Sequence, residues 1–203
     1  MNDAPRPDAP LPALAPNPAA LAFLLTRRSR PARTLGETGP DAATLRRMLT
    51  AAVRVPDHGK LEPWRFVVIE GAARDRLAGL VRARAAALGL DSAAGEKAAA
   101  AFTQGALVVA VVASPKPSEK IPEWEQLMSA GCVCLSLVNA ALAAGWGANW
   151  LSGWVATDRP FLDALGLTAP EFVAGFVHIG AEKTPPPDRP RPSVDALVSR
   201  LAD

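Results

Sequence analysis

The sequence predicts a single domain of mixed helices and strands in which helices are the majority. The chain has 203 residues, 49% of them hydrophobic and 21% charged, which is enough for one domain with its own hydrophobic core. The run ALVVAVVAS at 106–114 is apolar throughout and bounded by Gly105 and Pro115, as expected of a strand buried on both faces. The segment DAATLRRMLTAAVR at 41–54 instead repeats its apolar side chains with the period of an amphipathic helix.

Caps and breakers set the ends of the predicted elements. Asn17 and Asp41 precede the first two helices as capping residues, and Pro18 takes the first helical position. Pro56 ends the second helix, because the residue before a proline leaves the α region. The predicted elements are, in order, helices at 17–29 and 41–54, a strand at 64–70, helices at 72–88 and 92–104, a strand at 106–114, a long helix at 121–145, an extended segment at 148–155, a helix at 158–166 and a strand at 171–181.

Both ends of the chain are rich in proline. Residues 1–17 are also rich in alanine and are expected to form a disordered tail, so that one domain occupies residues 18–203. From about residue 184 this domain continues as a proline-rich extension that closes with one helical turn or more. The extension has little to pack on within its own subunit, and it can instead run along a partner.

The charge-free stretch from Ser129 to Thr157 is long enough to span a bilayer. It contains Ser, Asn, several Gly and three Trp, and GWGANWLSGW near its end breaks helical character. A fully buried helix followed by a core strand therefore explains the stretch better than a membrane span. A helix that is apolar all round needs burial on several sides, which in a chain of this size favours a subunit interface.

Composition and motifs argue against several function classes. A net charge of +2 is too weak to indicate a nucleic-acid partner. Cys132 and Cys134 point to different sides of a helix, so they cannot bridge and are expected to be two buried thiols in a reducing cytoplasm. No G-x-G-x-x-G follows a strand, and P-loop, H-E-x-x-H and G-x-S-x-G motifs do not occur. The two histidines lie in separate segments without a cysteine pair beside them, so no metal site is expected.

Three stretches carry polar or aromatic groups that suit a binding site. RRSRPAR at 27–33 brings four arginines and Ser29 to a helix end, as a solvated basic turn or as a receptor for phosphate oxygens. His58 lies in RVPDHGKLEP, as a loop histidine in a polar connector or at the rim of a site. NWLSGW at 149–154 is either core or the wall of a pocket for a flat ring.

Taken together and in this order, these stretches resemble the nitroreductase family of flavin-dependent oxidoreductases. RRSRPARTL resembles the family's R-R-S-x-R phosphate motif, and RVPDHGKLEPWRFVVIEG resembles its A-P-S/D-x-x-x-x-Q-P-W-x-F-x-V segment. IPEWEQLMSAGCVCLSLVNAALAAGWGANWLSGW resembles the central helix, Gly-rich turn and flavin-facing strand, and FVAGFVHIGAEKTPPPDRPRP resembles the final segment. The match runs from about residue 20 to 190 and is most similar to the short bacterial NAD(P)H nitroreductase-like subgroup.

The resemblance implies an α+β fold with a mixed, mostly antiparallel central sheet flanked by helices. It further implies an intertwined homodimer with two FMN molecules at its interface. The positions that match the family's FMN-binding motifs are Arg27, Arg28, Ser29, Arg54, His58, Trp150, Leu151, Ser152 and, in the C-terminal tail, Arg191 or Arg189. The positions that match the segment thought to accept NAD(P)H are Ala140, Ala141, Leu142, Ala143, Ala144 and Gly145.

Each group of positions has an implied role. Arg27, Arg28 and Ser29 would hold the phosphate and ribityl chain, and residues 150–152 would lie against the isoalloxazine. Arg54 and His58 would contact the flavin, either that of their own subunit or that of the partner. No catalytic acid or base and no metal ligand is assigned, because hydride transfer to a flavin needs none from a side chain.

The implied activity is that of a cytoplasmic oxidoreductase. In a ping-pong sequence, hydride would pass from NAD(P)H through FMN to an electron-poor acceptor such as a nitro compound or a quinone. Three alternatives are other chemistry on the same fold, namely reductive dehalogenation or flavin fragmentation; non-enzymatic flavin binding; and a nucleic-acid binder that would depend on Arg27 to Arg33 and that the net charge of +2 disfavours. Neither a nucleic acid nor a membrane is expected as a partner.

Two positions depart from the family pattern. Leu151 stands where the subgroup tends to have an arginine, which removes a positive group near the ring. Glu62 replaces the glutamine of Q-P-W, and no role is carried onto it. Glu125 and Gln126 lie where family members shape the substrate pocket, which makes them candidates only.

Overall fold

The computed structural model describes residues 10–202. Residues 1–9 of the tail predicted to be disordered, and residue 203, lie outside the described residues. The helices and strands follow one another in the order that the sequence predicts. They are α1 (Pro18–Thr26), α2 (Ala42–Ala52), β1 (Trp64–Ile69), α3 (Ala72–Ala87), α4 (Ser92–Thr103), β2 (Leu107–Ala113), α5 (Glu123–Ala143), β3 (Gly147–Leu151), α6 (Arg159–Ala164) and β4 (Phe172–Gly180).

The predicted caps are confirmed at the starts of α1 and α2. The Asn17 side chain accepts from the Ala20 amide at 3.0 Å, and the Asp41 carboxylate accepts from the Thr44 amide at 2.7 Å. Each of these bonds satisfies an amide that has no partner within the helix. Both helices therefore begin where the sequence places them.

The four strands form one sheet in the order β1-β2-β4-β3, and every neighbouring pair is antiparallel. The predicted α+β class and mostly antiparallel sheet are confirmed. All seven residues of β2 are buried, as predicted for a doubly covered central strand. β1 and β3 are the outer strands of this sheet, at opposite edges.

Helices cover both faces of the sheet. One face packs against α3, α4 and α6, and there the ring centroid of Phe102 lies 5.3 Å from Phe161 and 5.2 Å from Phe176. On the other face, α2 and α5 bury a second cluster that includes Met48 and Leu137. The basic stretch at residues 27–33, here called the arginine turn, is bonded to β3 through the Arg30 amide and the Ala148 carbonyl, and β3 also packs against α5.

Within one chain, helix α5 buries only one side, so the full burial expected for it, which includes a subunit interface, is not reached by the chain alone. Trp124, Met128 and Leu135 are exposed along its other side. The prediction of two buried thiols is wrong for Cys132, which is exposed, whereas burial raises the pKa of Cys134 to about 12. Among residues 10–202, α5 is the one helix long and apolar enough to cross a membrane, judged by length and composition alone.

The C-terminal extension runs back over the surface of the domain. Its only regular feature within the described residues is a single turn in which the Leu197 amide donates to the Val194 carbonyl at 2.9 Å. The apolar side chains of this turn and its surroundings are exposed. The extension thus has few contacts within its own subunit, as its composition predicts.

Candidate functional site

Four arginines gather at the end of α1 and form the arginine cluster, which consists of Arg27, Arg28, Arg30 and Arg191. Arg27 donates from Nη2 to Ser29 Oγ at 3.1 Å, while its buried Nε has no hydrogen-bond partner among the described residues. Burial, and then the charges of Arg191, Arg28 and Arg30, lower the pKa of the Arg27 guanidinium. Arg30 and Arg191 are ion-paired with Glu182 and Asp188, so the cluster keeps a net positive charge together with an unused, buried donor on Arg27.

The C-terminal extension brings Arg191 to this cluster. Arg28 Nε donates to the Pro187 carbonyl at 3.2 Å, and Arg191 Nη2 lies 3.0 Å from Asp188 Oδ1. Of the two tail arginines that the resemblance leaves open, Arg191 is the one whose charge acts on Arg27. Arg189 is exposed and donates its amide to the neighbouring Asp188 side chain.

The arginine turn is fastened to the outer edge of β3. The Arg30 amide donates to the Ala148 carbonyl at 2.8 Å, and its guanidinium forms an ion pair with Glu182. Successive residues of a strand direct their main-chain groups to alternate sides. Since the Ala148 carbonyl points away from β4, the amide and carbonyl of Trp150 point outward as well. The open edge of β3 therefore presents main-chain donors and acceptors beside the arginine cluster.

Trp150 lies against the backbone of Gly175 in β4. A Cβ atom at Gly175 would overlap the indole nitrogen of Trp150, so glycine leaves the space that the indole occupies. The neighbourhood contains a β-bulge, because Val111 pairs with Gly175 while Val112 pairs with Val173, which leaves Ala174 as the extra residue. Trp150 remains 38% exposed, which leaves part of the ring accessible at the sheet edge.

The three residues assigned to the ring do not share one surface. Leu151 pairs with Phe176, and the alternation of a strand places its side chain on the opposite face of the sheet from Trp150. Ser152 follows the end of β3 and is exposed. Trp150 and Ser152 thus border the open edge, whereas the Leu151 side chain points to the face covered by α3, α4 and α6.

The segment assigned to NAD(P)H ends α5 and turns into β3. Gly145 has φ of 84°, a conformation that favours glycine, and its amide donates to the Leu142 carbonyl at 3.1 Å. Ala141 is fully buried in the core, whereas Ala143 and Ala144 are exposed. Only the last part of the segment presents an accessible surface.

Arg54 and His58 lie on the connection from α2 to β1, and this connection is fastened to the N-terminal half of α5. Ser129 Oγ donates to the Pro56 carbonyl at 2.7 Å, and His58 Nδ1 lies 2.7 Å from Glu125 Oε2. Helix α5 has 21 residues and is therefore about 30 Å long. The arginine cluster lies beyond its opposite end, so one chain does not bring His58 to that cluster.

Sequence reasoning missed several neighbours of these residues. Glu125 is 67 residues from His58 in the sequence, and no local pattern connects them. Gln126, a candidate for the substrate pocket, is buried and binds the Lys116 backbone through both ends of its amide, at 2.7 and 2.9 Å. Its role is to hold the loop before α5. The position of Gly175 beneath Trp150 depends on strand register, which the motifs alone do not specify.

The arrangement suits an anionic, flat ligand better than a metal ion. Within residues 10–202 no group of three or more His, Cys, Asp or Glu side chains is placed to hold a metal. The arginine cluster with Ser29 offers charged and neutral donors to phosphate oxygens. Trp150 and the open edge of β3 offer an apolar surface and main-chain hydrogen bonds to a ring.

Comparison with solved structures shows a shared fold. A nitroreductase-like family protein from Bacillus cereus aligns with a TM-score of 0.77 over 93% of this chain and 99% of that chain, at 21% identity. A nitroreductase with bound FMN from Bacteroides fragilis NCTC 9343 aligns with a TM-score of 0.71 over 92% of this chain and 100% of that chain, at 19% identity. Almost the whole length of each neighbour is thus represented here.

Sequence comparison extends the likeness beyond the fold. The Escherichia coli (strain K12) protein named "Putative NAD(P)H nitroreductase YdjA" is 38% identical over 161 residues, which cover 79% of this chain and 87% of that protein. A family model described as the Nitroreductase family matches residues 24–181, from the end of α1 to the end of β4. On these matches, the chain belongs to the nitroreductase family.

Proposed function

We propose that this protein is an FMN-dependent oxidoreductase that works as a homodimer and uses NAD(P)H as electron donor. The observation that carries the proposal is the state of Arg27, whose buried Nε is without a partner beside three further arginines. Like charges repel one another, and a buried donor without a partner is also unfavourable. A bound anion would reduce the repulsion and accept a hydrogen bond from the buried donor. A phosphate monoester provides a double negative charge and several acceptor oxygens for this purpose.

The edge of β3 fits the remainder of a flavin nucleotide. The outward amide and carbonyl of Trp150 would bind polar atoms of the ring, and its exposed indole surface would pack against it. Ser152 would add a hydroxyl at the end of the strand. Trp150 lies on β3 and Ser152 directly follows it, and Ala148 of the same strand is bonded to Arg30, so one ligand with a phosphate and a ring can engage the arginine cluster and this edge together.

Bound FMN would supply the hydride chemistry, taking hydride from NAD(P)H and passing it to an electron-poor acceptor such as a nitro compound or a quinone in a ping-pong sequence. The chain's own contribution is to hold, orient and shield. The arginine cluster would anchor the phosphate, and residues 140–145 would border the donor's position. The side chain at position 151 lies on the other face of the sheet, so Leu151 in place of the subgroup's arginine would not remove a charge from beside the ring, contrary to the expectation from the motif.

The proposed homodimer accounts for the exposed apolar surfaces. Helix α1 has no buried residue in one chain, and Leu21, Leu24 and Leu25 are exposed on it. Helix α5 exposes a second apolar side, which includes Met128 and Leu135. A second copy that covered these surfaces would also supply the Arg54 and His58 that a single chain holds away from its own arginine cluster.

The first test is spectroscopic. Purified protein, or apoprotein reconstituted with FMN, should show the visible absorbance bands of an oxidised flavin. NADH or NADPH should bleach these bands in the absence of oxygen, and an added quinone should restore them. Protein that stays colourless after incubation with excess FMN would contradict the proposal, whereas yellow protein that neither cofactor bleaches would indicate flavin binding without this activity.

A second test addresses the phosphate site. Arg27→Ala and Ser29→Ala should each weaken FMN binding, with the arginine the larger effect because it provides a charged donor. Arg33→Ala is the matched control, since Arg33 belongs to the same basic stretch but is exposed outside the cluster. Equal FMN dissociation constants for Arg27→Ala and Arg33→Ala would show that the phosphate lies elsewhere.

A further inference from the structure

His58 and Glu125 form a close pair at the start of α5. Nδ1 of the imidazole lies 2.7 Å from Glu125 Oε2. The His58 side chain is nevertheless 65% exposed, and that of Glu125 30%. An exposed pair of this kind contributes little to stability. Stabilisation of the fold therefore does not explain why the two side chains are held together.

The loop that carries His58 is elaborately fixed. Asp57 accepts from the amides of Leu61 and Glu62 at 3.1 and 2.9 Å. Lys60 and Glu62 have φ of 55° and 48°, which is unfavourable for residues other than glycine. The loop therefore keeps two unfavourable backbone conformations, and within it the His58 imidazole faces the first turn of α5.

A second set of bonds ties the base of this loop to α5. Trp64 Nε1 donates to Ser129 Oγ at 3.1 Å, and Ser129 Oγ donates to the Pro56 carbonyl at 2.7 Å. Ser129 lies four residues after Glu125, one helical turn further along α5. Helix α5 thus holds the loop at two successive turns, through the His58 ring at Glu125 and through the Pro56 carbonyl at Ser129.

The chemistry of the pair defines which ring nitrogen is free. An ionised carboxylate is an acceptor only, so Nδ1 must carry the proton in the bond to Glu125. In a neutral imidazole Nε2 is then left with its lone pair, as an acceptor. We propose that Glu125 is a positioning residue that fixes this tautomer of His58, so that His58 recognises an N–H group of the flavin ring. The inference rests on the proposed function, in which His58 faces the flavin of the partner subunit.

The proposal distinguishes His58 from the arginines of the site. Oxidised isoalloxazine has one N–H group, at N3, and its other polar atoms are acceptors. A histidine with Nε2 as acceptor therefore matches N3–H, whereas a guanidinium such as that of Arg54 matches the acceptor atoms and the phosphate. His58 would hydrogen-bond to the ring, whereas the arginine cluster would bind the phosphate.

The first experiment reads the tautomer without any ligand. The chain has two histidines, and His178 is buried, so ¹⁵N-correlated spectra of the imidazoles assign His58 directly. At a pH where His58 is neutral, the wild type should show its proton on Nδ1. Glu125→Gln should give a mixture of tautomers, because a side-chain amide can donate as well as accept. Glu123→Gln removes an exposed carboxylate from the same helical turn and should leave the spectrum unchanged.

The second experiment measures binding of FMN, riboflavin and N3-methylriboflavin to the reconstituted dimer. His58→Ala should weaken FMN and riboflavin alike, by about fivefold for one lost hydrogen bond, and should not change the affinity for N3-methylriboflavin. Glu125→Ala should cause a smaller loss in the same two ligands. The double variant should bind no more weakly than His58→Ala, because Glu125 acts through His58.

The outcomes separate the inference from the proposed function. If none of the flavins binds, the proposed function fails, while the spectra still decide whether Glu125 fixes the tautomer. If flavins bind but the wild-type spectrum shows the proton on Nε2, or the two single-variant losses multiply in the double variant, the positioning role is overturned. Loss of FMN binding alone, with riboflavin unaffected, would place His58 at the phosphate and contradict it too.

Discussion

The indole of Trp150 occupies the space above Gly175 that any larger side chain would fill. The two residues lie on neighbouring strands, and Gly175 shares a sheet face with Trp150 because it lies two residues from Val177, the partner of Trp150. The orientation of the ring at the open edge of β3 therefore depends on the lack of a side chain in the next strand.

Gly175→Ala should displace Trp150 and weaken FMN binding. The added methyl group overlaps the indole, and overpacking of this kind costs about 1–3 kcal/mol in the free energy of unfolding. Denaturant unfolding and FMN titration measure the two effects. Gly79→Ala, in α3, is the matched control, because a Cβ there meets no neighbouring atom, and it should stabilise by about 0.5–1 kcal/mol.

Mixed dimers should reveal whether one site uses two chains. Arg27→Ala and His58→Ala homodimers have a defect in every site, whichever subunit supplies each residue. If the two residues of a site come from different subunits, random co-assembly produces heterodimers with one intact site, and about a quarter of all sites bind FMN with wild-type affinity. Titration of co-expressed protein would show this tight fraction, and its absence would place both residues of a site in one chain.

A charge on the exposed side of α5 should disrupt the dimer. Leu135 is 47% exposed in one chain and lies on the side of α5 that is proposed to be covered in the dimer. Leu135→Arg would place a cation on this apolar surface. Light scattering should show a shift towards monomer, with FMN affinity lowered at least tenfold. Leu88→Arg is the control, since Leu88 at the end of α3 is similarly exposed, at 48%, and lies away from α5. An unchanged molar mass for Leu135→Arg would exclude this side of α5 from the interface.

His178 should make the protein less stable in mild acid. Burial lowers the pKa of His178 to about 4 from an ordinary value of 6.5, opposed by a hydrogen bond with the Gln104 backbone and assisted by the charge of Arg74. The unfolded state therefore binds more protons between pH 6.5 and 4, and the free energy of unfolding falls as pH is lowered through this window. The loss amounts to about 3 kcal/mol below the lower value.

Denaturant unfolding at several pH values checks this prediction. His178→Gln keeps a donor but does not titrate, so its stability should change less than that of the wild type between pH 6.5 and 4. Parallel curves for the wild type and His178→Gln would contradict the role of the buried imidazole.

The stability of Glu171→Gln should differ from that of the wild type in a lower pH window. A bidentate bond from Arg65 holds the pKa of Glu171 at about 2, so the wild type loses this contribution to its free energy of unfolding as pH falls from 4.5 to 2.

The sequence allows the order and type of the elements to be predicted, because each carries its own local signal. The apolar run of β2, the period of α2 and the caps Asn17 and Asp41 act within a few residues. The opposite orientations of Trp150 and Leu151 also follow from strand alternation, although motif matching groups them together.

The rest depends on long-range geometry. His58 and Glu125 meet because the loop before β1 is fastened to α5, a relationship that neither segment encodes alone. Periodicity shows that α5 is apolar, but it does not show which side the chain itself covers, and so Cys132 was expected to be buried. The arrival of Arg191 at Arg27 likewise depends on the path of the C-terminal extension.

The bond from the Arg30 amide to the Ala148 carbonyl has a consequence for solubility. An outer strand with unpaired main-chain groups is a template on which strands of other molecules can add and start aggregation. Arg30 occupies the first such position on β3, and the surrounding guanidinium groups repel the like-charged edge of another molecule. The arginine turn thus also prevents strands of other molecules from pairing with β3. Variants that straighten or neutralise this turn are expected to aggregate before they unfold.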